Sequence, residues 1–147
     1  MMMSNTPHDS PVTATLGFAA SGTGDGVVYV ALRGADDWET SLVRVVFRCR
    51  PLPALRGRDV AYAAVEAAAT RLRGCGHREV AFEFDDPALV ADVVEHRPVP
   101  AALTVPYVRL QCVLNRFVRA CVSAVDDHTT RDLGSRARAE VALDVAA

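Results

Sequence analysis

Two short acidic segments contain the residue types of this sequence that are best suited to chemistry. Asp85 and Asp86 follow a run of alternating apolar residues, and residues 126–128 read Asp-Asp-His, ending in His128. Carboxylate oxygens are ligands for hard divalent cations such as Mg²⁺, and two such ions can activate a water molecule. A structural interpretation competes for each segment. Asp85 can end a strand, Asp86 can cap a helix that begins at Pro87, and residues 126–128 can form a solvated loop. We favour the structural interpretation of both segments.

Arginine side chains are the second candidate for chemistry. All 16 basic residues are arginine, and Arg44, Arg48 and Arg50 share one face of a predicted strand because they are spaced by multiples of two. We predict that these three residues and Arg58 contact nucleic-acid phosphates. The alternative is an exposed strand face that uses the only basic residue type in the composition. Because 18 acidic residues give a net charge of −2, a strongly basic nucleic-acid binder is excluded, and any such binding should be local and salt-sensitive.

Cysteine and histidine do not indicate a zinc site. The chain has four of each, no two cysteines form a C-x-x-C pair, and the histidines are scattered. Residues 1–11 lack the basic and apolar regions of a secretory signal, so we interpret them as a disordered tail. No apolar stretch reaches the roughly 18 residues of a membrane span. We therefore expect a cytoplasmic protein without membrane contact, and we expect its cysteines to be buried thiols in a reducing compartment. Those cysteines are Cys49, Cys75, Cys112 and Cys121.

The first half of the chain is predicted to consist of strands. Residues 12–20, 27–32 and 42–50 are rich in apolar and β-branched residues, and the third segment alternates with a period of two. Glycine-rich and polar segments separate them, including a predicted turn at residues 34–40. This pattern indicates three strands that can pair in succession.

Helical periodicity begins after this region. Residues 59–73 have apolar residues at helical spacing, with Asp59 as a possible cap and Gly74 as a possible end. A strand is predicted at residues 79–84, helices at 88–95, from 106 onward and at 136–145, and a polar loop at 126–135. Residues 118–125 fit either a helix or a strand. The order β-β-β-α-β-α-α-(β)-α predicts an α/β fold, a mixed sheet with helices on its faces, within one domain over residues 12–147.

The spacing of several motifs resembles the ribonuclease H type 1 family. Residues 58–65 resemble the family's first-helix motif N-x-A-E-Y-x-A-L, and residues 84–90 resemble x-D-S-x-x-L-V. Residues 76–80, 125–128 and 135–142 are similar to G-x-x-x-V, V-x-G-H and N-x-x-A-D-x-L-A. The resemblance implies a mixed five-stranded sheet, and it makes residues 118–125 a strand. It also implies an enzyme that cleaves RNA in RNA–DNA hybrids with two divalent metal ions.

The resemblance implies a degenerate active site, because one of the four acidic positions retains its acid. Asp85 matches the fourth-strand aspartate and would be the catalytic residue and metal ligand, and His128 matches the histidine of the flexible loop. The other three acidic positions fall on alanine: Ala19 or Ala20, Ala61, and Ala139.

The sequence therefore supports three hypotheses. The first is a catalytically inactive ribonuclease H-like domain that acts as a nucleic-acid-associated or protein-interaction module, with no cofactor expected. The second is an active ribonuclease H that uses Mg²⁺ or Mn²⁺ in a rearranged site built from Asp25, Asp59, Asp85 and Asp127. The third is a homodimeric scaffold that pairs through residues 27–32, residues 43–47 and a small-residue helix, without nucleic-acid binding.

Overall fold

The structure of the protein, a computed structural model, describes residues 10–34 and 40–146. Most of the predicted tail and of the predicted turn at residues 34–40 lies outside these ranges. Within them the chain forms five strands and four α-helices. The strands are β1 (Val12–Ala20), β2 (Asp25–Gly34), β3 (Ser41–Arg48), β4 (Glu79–Phe84) and β5 (Arg119–Ala124), and the helices are α1 (Arg58–Gly74), α2 (Pro87–Glu95), α3 (Thr104–Leu114) and α4 (His128–Ala146).

The five strands form one mixed sheet in the order β3-β2-β1-β4-β5. β2 is antiparallel to both β1 and β3. β4 is parallel to both β1 and β5, as expected when helices connect the strands. The predicted fold class and element order are confirmed, including the strand within residues 118–125.

Small side chains bring α1 close to one face of the sheet. Ala61, Ala64 and Ala68 have no exposed surface and belong to the main hydrophobic core. Two contacts show that α3 runs parallel to α1, because both join residues that are 43 positions apart in the sequence. Arg109 pairs with Glu66 at 3.6 Å, and the Arg73 side chain donates a hydrogen bond to the backbone oxygen of Arg116. The exposed sides of the two helices therefore form a common surface.

The start of α1 differs from the prediction that Asp59 caps it. Gly57 precedes the helix in the left-handed conformation, with φ of 86°. Asp59 lies inside the first turn and is buried, and its Oδ2 accepts a hydrogen bond of 2.7 Å from the backbone N–H of Leu52. Its carboxylate therefore attaches the preceding loop to the helix.

α4 covers the other face of the sheet, over β1 and β2. Leu133 and Ala137 pack against Val27, Tyr29 and Ala31 in a second hydrophobic cluster. The helix begins at His128, eight residues earlier than predicted, so the polar loop expected at 126–135 is wrong. Tertiary packing of a narrow apolar stripe stabilises a segment whose polar composition favours a loop.

The surfaces predicted for a homodimer are largely used inside the fold. β2 is paired on both of its edges, and the alanine face of α1 is buried in the core. On β3, which is an edge strand, Leu42 and Val46 are exposed. Of the predicted dimer surface, Val46 of β3 is exposed, and Ala63 and Ala67 of α1 are half-buried.

The cysteines are more exposed than predicted. Cys75, Cys112 and Cys121 are exposed, and Cys49 is half-buried. Burial raises the pKa of the Cys49 thiol, and the Asp59 carboxylate adds to this. The expectation of four buried thiols is therefore wrong. Among the described residues, no helix is long and apolar enough to cross a membrane.

Candidate functional site

Asp85 directly follows β4, which ends beside its parallel neighbour β5 with Phe84 opposite Ala124. On the other side of β4, the pairing with β1 ends at Thr15 and Glu83, and Gly17 and Asp85 beyond it line the same groove. Asp85 is exposed. The next residue, Asp86, caps α2 by accepting a hydrogen bond of 3.0 Å from the backbone N–H of Leu89. Burial raises the pKa of Asp86, although this hydrogen bond opposes the shift. The predicted capping role of Asp86 is confirmed.

A groove of about 410 Å³ surrounds Asp85. Two carboxylates and two guanidinium groups line it, together with small and apolar residues. Arg131 forms an ion pair with Asp126, with Nε 3.8 Å from Oδ1, and Arg138 donates a 3.1 Å hydrogen bond to the Ser135 hydroxyl. The groove thus has a mixed charge. Its lining residues are Leu16, Gly17, Phe18, Asp85, Asp126, Thr130, Arg131, Gly134 and Arg138.

The floor of this groove is a direct contact between β1 and α4. A Cβ atom on Gly17 would lie 2.2 Å from the backbone nitrogen of Gly134 and 2.3 Å from the carbonyl carbon of Leu133. Carbon atoms normally keep 3.5–4.0 Å from such neighbours. Position 17 therefore admits only glycine while α4 keeps its place beside Asp85.

The predicted acidic positions are not the ones that surround Asp85. Ala19 and Ala20 lie further along β1 and pack against the two hydrophobic clusters. Ala61 is fully buried under the sheet. Ala139 is exposed but does not line the groove. On α4, the groove is lined by Thr130, Gly134 and Arg138, which are spaced four residues apart as one helical stripe, and by Arg131.

Sequence reasoning missed Arg131 and Arg138 as residues of this groove. With residues 126–135 predicted as a loop, the helical spacing of Thr130, Gly134 and Arg138 is not recognisable from the sequence. The usable signal was Asp127 followed three residues later by Thr130, a pattern that begins helices. The two residues cap α4 reciprocally: Thr130 N–H donates to Asp127 Oδ1 at 2.9 Å, and Asp127 N–H donates to the Thr130 hydroxyl at 3.0 Å.

His128 and Asp127 serve the start of α4. The hydrogen bond from the Thr130 backbone lowers the pKa of the Asp127 carboxyl. His128 Nε2 lies 3.0 Å from Asp132 Oδ2, one turn further along, and its side chain is 87% exposed. His128 does not line the groove around Asp85. The structure therefore does not bring the two predicted catalytic residues, Asp85 and His128, into one groove.

The donor groups present do not fit a two-metal site. Among residues 10–34 and 40–146, no three His, Cys, Asp or Glu side chains are grouped so that they could hold a metal ion. Asp25 Oδ1 lies 3.2 Å from Arg48 Nε. Asp59 accepts a hydrogen bond from the backbone N–H of Leu52, and Asp127 caps α4. The rearranged site expected from these residues and Asp85 is not assembled. Each hard cation needs several oxygen ligands, so the two carboxylates of the groove, Asp85 and Asp126, are too few to hold two such ions.

The predicted arginine surface is divided between opposite sides of the sheet. Arg44 of β3 binds Glu140 of α4, with Nε 2.9 Å from Oε1, and Tyr29 also donates to this carboxylate. The bonds from Arg44 hold the pKa of Glu140 at about 2. Arg58 lies at the start of α1, where its guanidinium pairs with the buried Asp92 of α2.

Two of the predicted phosphate-binding arginines remain well exposed. Arg48 has a side chain that is 79% exposed and pairs with the exposed Asp25. Arg50 is exposed just after β3. The four predicted residues therefore do not form one continuous basic surface.

The chain has close structural neighbours despite little sequence similarity. Ribonuclease H1 from the halophilic archaeon Halobacterium salinarum NRC-1 superposes with a TM-score of 0.72 at 17% identity, covering 91% of this chain and 98% of that chain. The fold is ribonuclease H-like. No family model matches the sequence, and no curated protein sequence matches it significantly.

Two further ribonuclease H-like structures give the same result. The N-terminal RNase H domain of a Mycobacterium tuberculosis protein has a TM-score of 0.70 at 17% identity, over 93% of this chain and 99% of that chain. LC11-RNase H1 in complex with an RNA/DNA hybrid has a TM-score of 0.63 at 12% identity, over 88% and 97%. Identities this low establish a shared fold, and function must be argued from the groove.

Proposed function

We propose that this chain is a ribonuclease H-like domain of the cytoplasm that has lost metal-dependent hydrolysis and binds nucleic acid. The observation that carries the proposal is the groove around Asp85. Arg131 and Arg138 line it, and the residue of β1 that meets α4 in this groove is Gly17, which has no carboxylate. Guanidinium groups bind phosphate directly, whereas a two-metal nuclease binds it through cations held by carboxylates.

The charges of the groove suit a phosphate better than a metal ion. Asp126 is already paired with Arg131, while Arg138 forms no ion pair among the described residues and bonds only the neutral Ser135 hydroxyl. Arg138 is therefore available to a phosphate. The hybrid-bound structure of LC11-RNase H1 supports nucleic acid as the partner of this fold. We propose an RNA–DNA hybrid as the first ligand to test.

Hydrolysis is tested by incubating the full chain with a labelled RNA–DNA hybrid and Mg²⁺ or Mn²⁺. We expect no cleavage by the wild-type chain or by Asp85→Asn, with an active ribonuclease H as the positive control. Circular dichroism establishes that the variant is folded. Cleavage by the wild-type chain that Asp85→Asn abolishes would contradict the proposal, because it would make Asp85 a working metal ligand.

Binding is tested with the same hybrid by fluorescence anisotropy at several salt concentrations. Arg138→Gln should weaken binding and reduce the slope of log K against log salt by about 1, because one phosphate contact is lost. Arg97→Gln is the control, since it removes another exposed positive charge, which lies beyond α2 and pairs with Glu95. Equal affinities and equal slopes for the wild-type and both variants would reject the groove as the binding surface.

A further inference from the structure

Four arginines converge at the sheet edge opposite Asp85. Arg73 ends α1, Arg116 follows α3, and Arg78 and Arg119 stand at the starts of β4 and β5. Arg73 Nε donates a 3.1 Å hydrogen bond to the backbone oxygen of Arg116. The backbone oxygen of Arg78 accepts from Val118 N–H at 2.9 Å and from Arg119 N–H at 3.3 Å. We refer to Arg73, Arg78, Arg116 and Arg119 as the arginine cluster.

The positive charges of the arginine cluster are not neutralised within the described part of the chain. All four residues are exposed, and none of them forms an ion pair with a carboxylate there. By contrast, Arg44, Arg48 and Arg58 of the predicted surface each have a carboxylate partner. The nearest acid in the pairing register is Glu79, which is half-buried opposite Arg119.

Local structure explains two of these charges. A cation near the carboxyl end of a helix is stabilised by the helix dipole, which accounts for Arg73 at the end of α1 and for Arg116 just after α3. Arg78 immediately precedes β4 and Arg119 begins β5, where no such field exists. Four exposed positive charges in one part of a chain with net charge −2 create a local positive potential that attracts anions.

We infer that the arginine cluster is a second nucleic-acid surface, which binds the phosphate backbone independently of the groove around Asp85. The inference rests on the proposed function that the domain binds nucleic acid. Guanidinium groups match phosphate oxygens with two parallel hydrogen bonds, and several on one corner can follow a backbone. A membrane surface is less suited, because membrane-binding surfaces use several apolar side chains, and within residues 71–79 and 115–121 Val118 is the one large apolar side chain that is exposed.

The two surfaces lie at opposite ends of β4. Arg78 precedes this strand and Asp85 follows it, so Asp85 is seven positions after Arg78, about 23 Å at a rise of ~3.3 Å per residue. One phosphate cannot contact both surfaces at this distance. Loss of one surface should therefore leave the contribution of the other unchanged, and their effects on binding free energy should add.

The test uses a double variant that removes charge without disturbing the backbone contacts. Arg78→Gln with Arg116→Gln keeps both backbone carbonyls as acceptors and leaves Arg73 in place. Arg33→Gln with Arg97→Gln is the matched control, since both residues are exposed and lie elsewhere. Anisotropy with a labelled RNA–DNA hybrid is measured for both variants between 50 and 200 mM salt.

The cluster variant should bind more weakly than the wild-type chain, and its salt slope should be smaller by about 1.8 for two lost phosphate contacts. Over a fourfold rise in salt, the wild-type chain should then lose about twelvefold more affinity than the cluster variant. The control variant should follow the wild-type chain. Adding Arg138→Gln to the cluster variant should lower the slope further by about the single-variant amount.

The outcomes separate this inference from the proposed function. If the wild-type chain binds the hybrid and the cluster variant matches the control, the arginine cluster is not a binding surface, although the proposed function stands. If the wild-type chain binds no hybrid, both are wrong. Vesicles of phosphatidylserine and phosphatidylcholine form a separate arm. Binding to vesicles that the double substitution abolishes, without hybrid binding, would assign the cluster to a membrane and overturn the inference.

Discussion

The contact between Gly17 and α4 predicts a large loss of stability for Gly17→Ala. The added Cβ would lie 2.2 Å from Gly134 N and 2.3 Å from the carbonyl carbon of Leu133, so these atoms would have to move by more than 1 Å to restore normal contact. Overpacking a core typically costs about 1–3 kcal/mol. Because the opposing atoms here are helix backbone and cannot rotate away, we expect about 3 kcal/mol. For a domain of this size, that lowers Tm by roughly 6–12 °C.

Thermal unfolding of the full chain, followed by circular dichroism, measures this effect. Gly74→Ala is the matched control, because the same substitution at the end of α1 meets nothing within 4 Å. It should raise stability slightly, by about 0.5–1 kcal/mol, since alanine is favoured over glycine in a helix.

Gly134→Ala tests the other side of the same contact. Its Cβ would face the end of the flexible Arg138 side chain at 3.3 Å, so this substitution should cost little or stabilise α4. A Tm for Gly17→Ala within about 2 °C of the wild-type value would refute the reasoning, because it would mean that α4 is not held against β1 as described.

Two further predictions concern buried and acidic groups. Asp92→Asn should destabilise the protein by about 2–3 kcal/mol in urea unfolding, because the Asp92 carboxylate binds both the Arg58 guanidinium and the Tyr62 hydroxyl, which lies 2.8 Å from Asp92 Oδ2. Tyr62→Phe removes one of these bonds and should cost only about 1 kcal/mol. Equal costs for the two variants would contradict this ranking. The pKa of Glu140 is lowered from 4.5 to about 2 by its bonds from Arg44, so the folded state binds fewer protons than the unfolded state between these pH values. The stabilisation of the folded state by the Glu140 carboxylate should be complete above pH 4.5 and lost as the pH falls to about 2. The Tm difference between the wild-type chain and Glu140→Gln should therefore shrink over that range. Because Arg44 is half-exposed, salt should reduce this difference, and a difference independent of pH would contradict the assignment.

Local sequence signals predicted the elements and one cap correctly. These signals are properties of neighbouring residues, so they can be recognised in the sequence. They are the period-two alternation of β3 and β4, the change to helical spacing in α1, and the start of α2 at Asp86-Pro87. The start of α4 was missed because its apolar stripe is narrow, and Leu133 and Ala137 become decisive only when they meet β2.

The composition of the candidate site was less predictable, because it depends on contacts between distant residues. Asp92 follows Arg58 by 34 residues, and nothing near Arg58 in the sequence indicates that this charge is bound and partly buried. The groove around Asp85 is similar in this respect. Arg138 reaches it only because α4 crosses β1 at Gly17, a placement that no local pattern encodes.

The glycine contact beneath the groove also constrains how this site could change over evolutionary time. A substitution that placed a carboxylate at position 17, in the groove that Asp85 also lines, would drive its side chain into the backbone of α4. An acidic residue at this position would therefore displace the helix and lower the stability of the protein before it could contribute to a metal site. Tight packing between β1 and α4 thus limits which side chains this groove can acquire without a loss of stability.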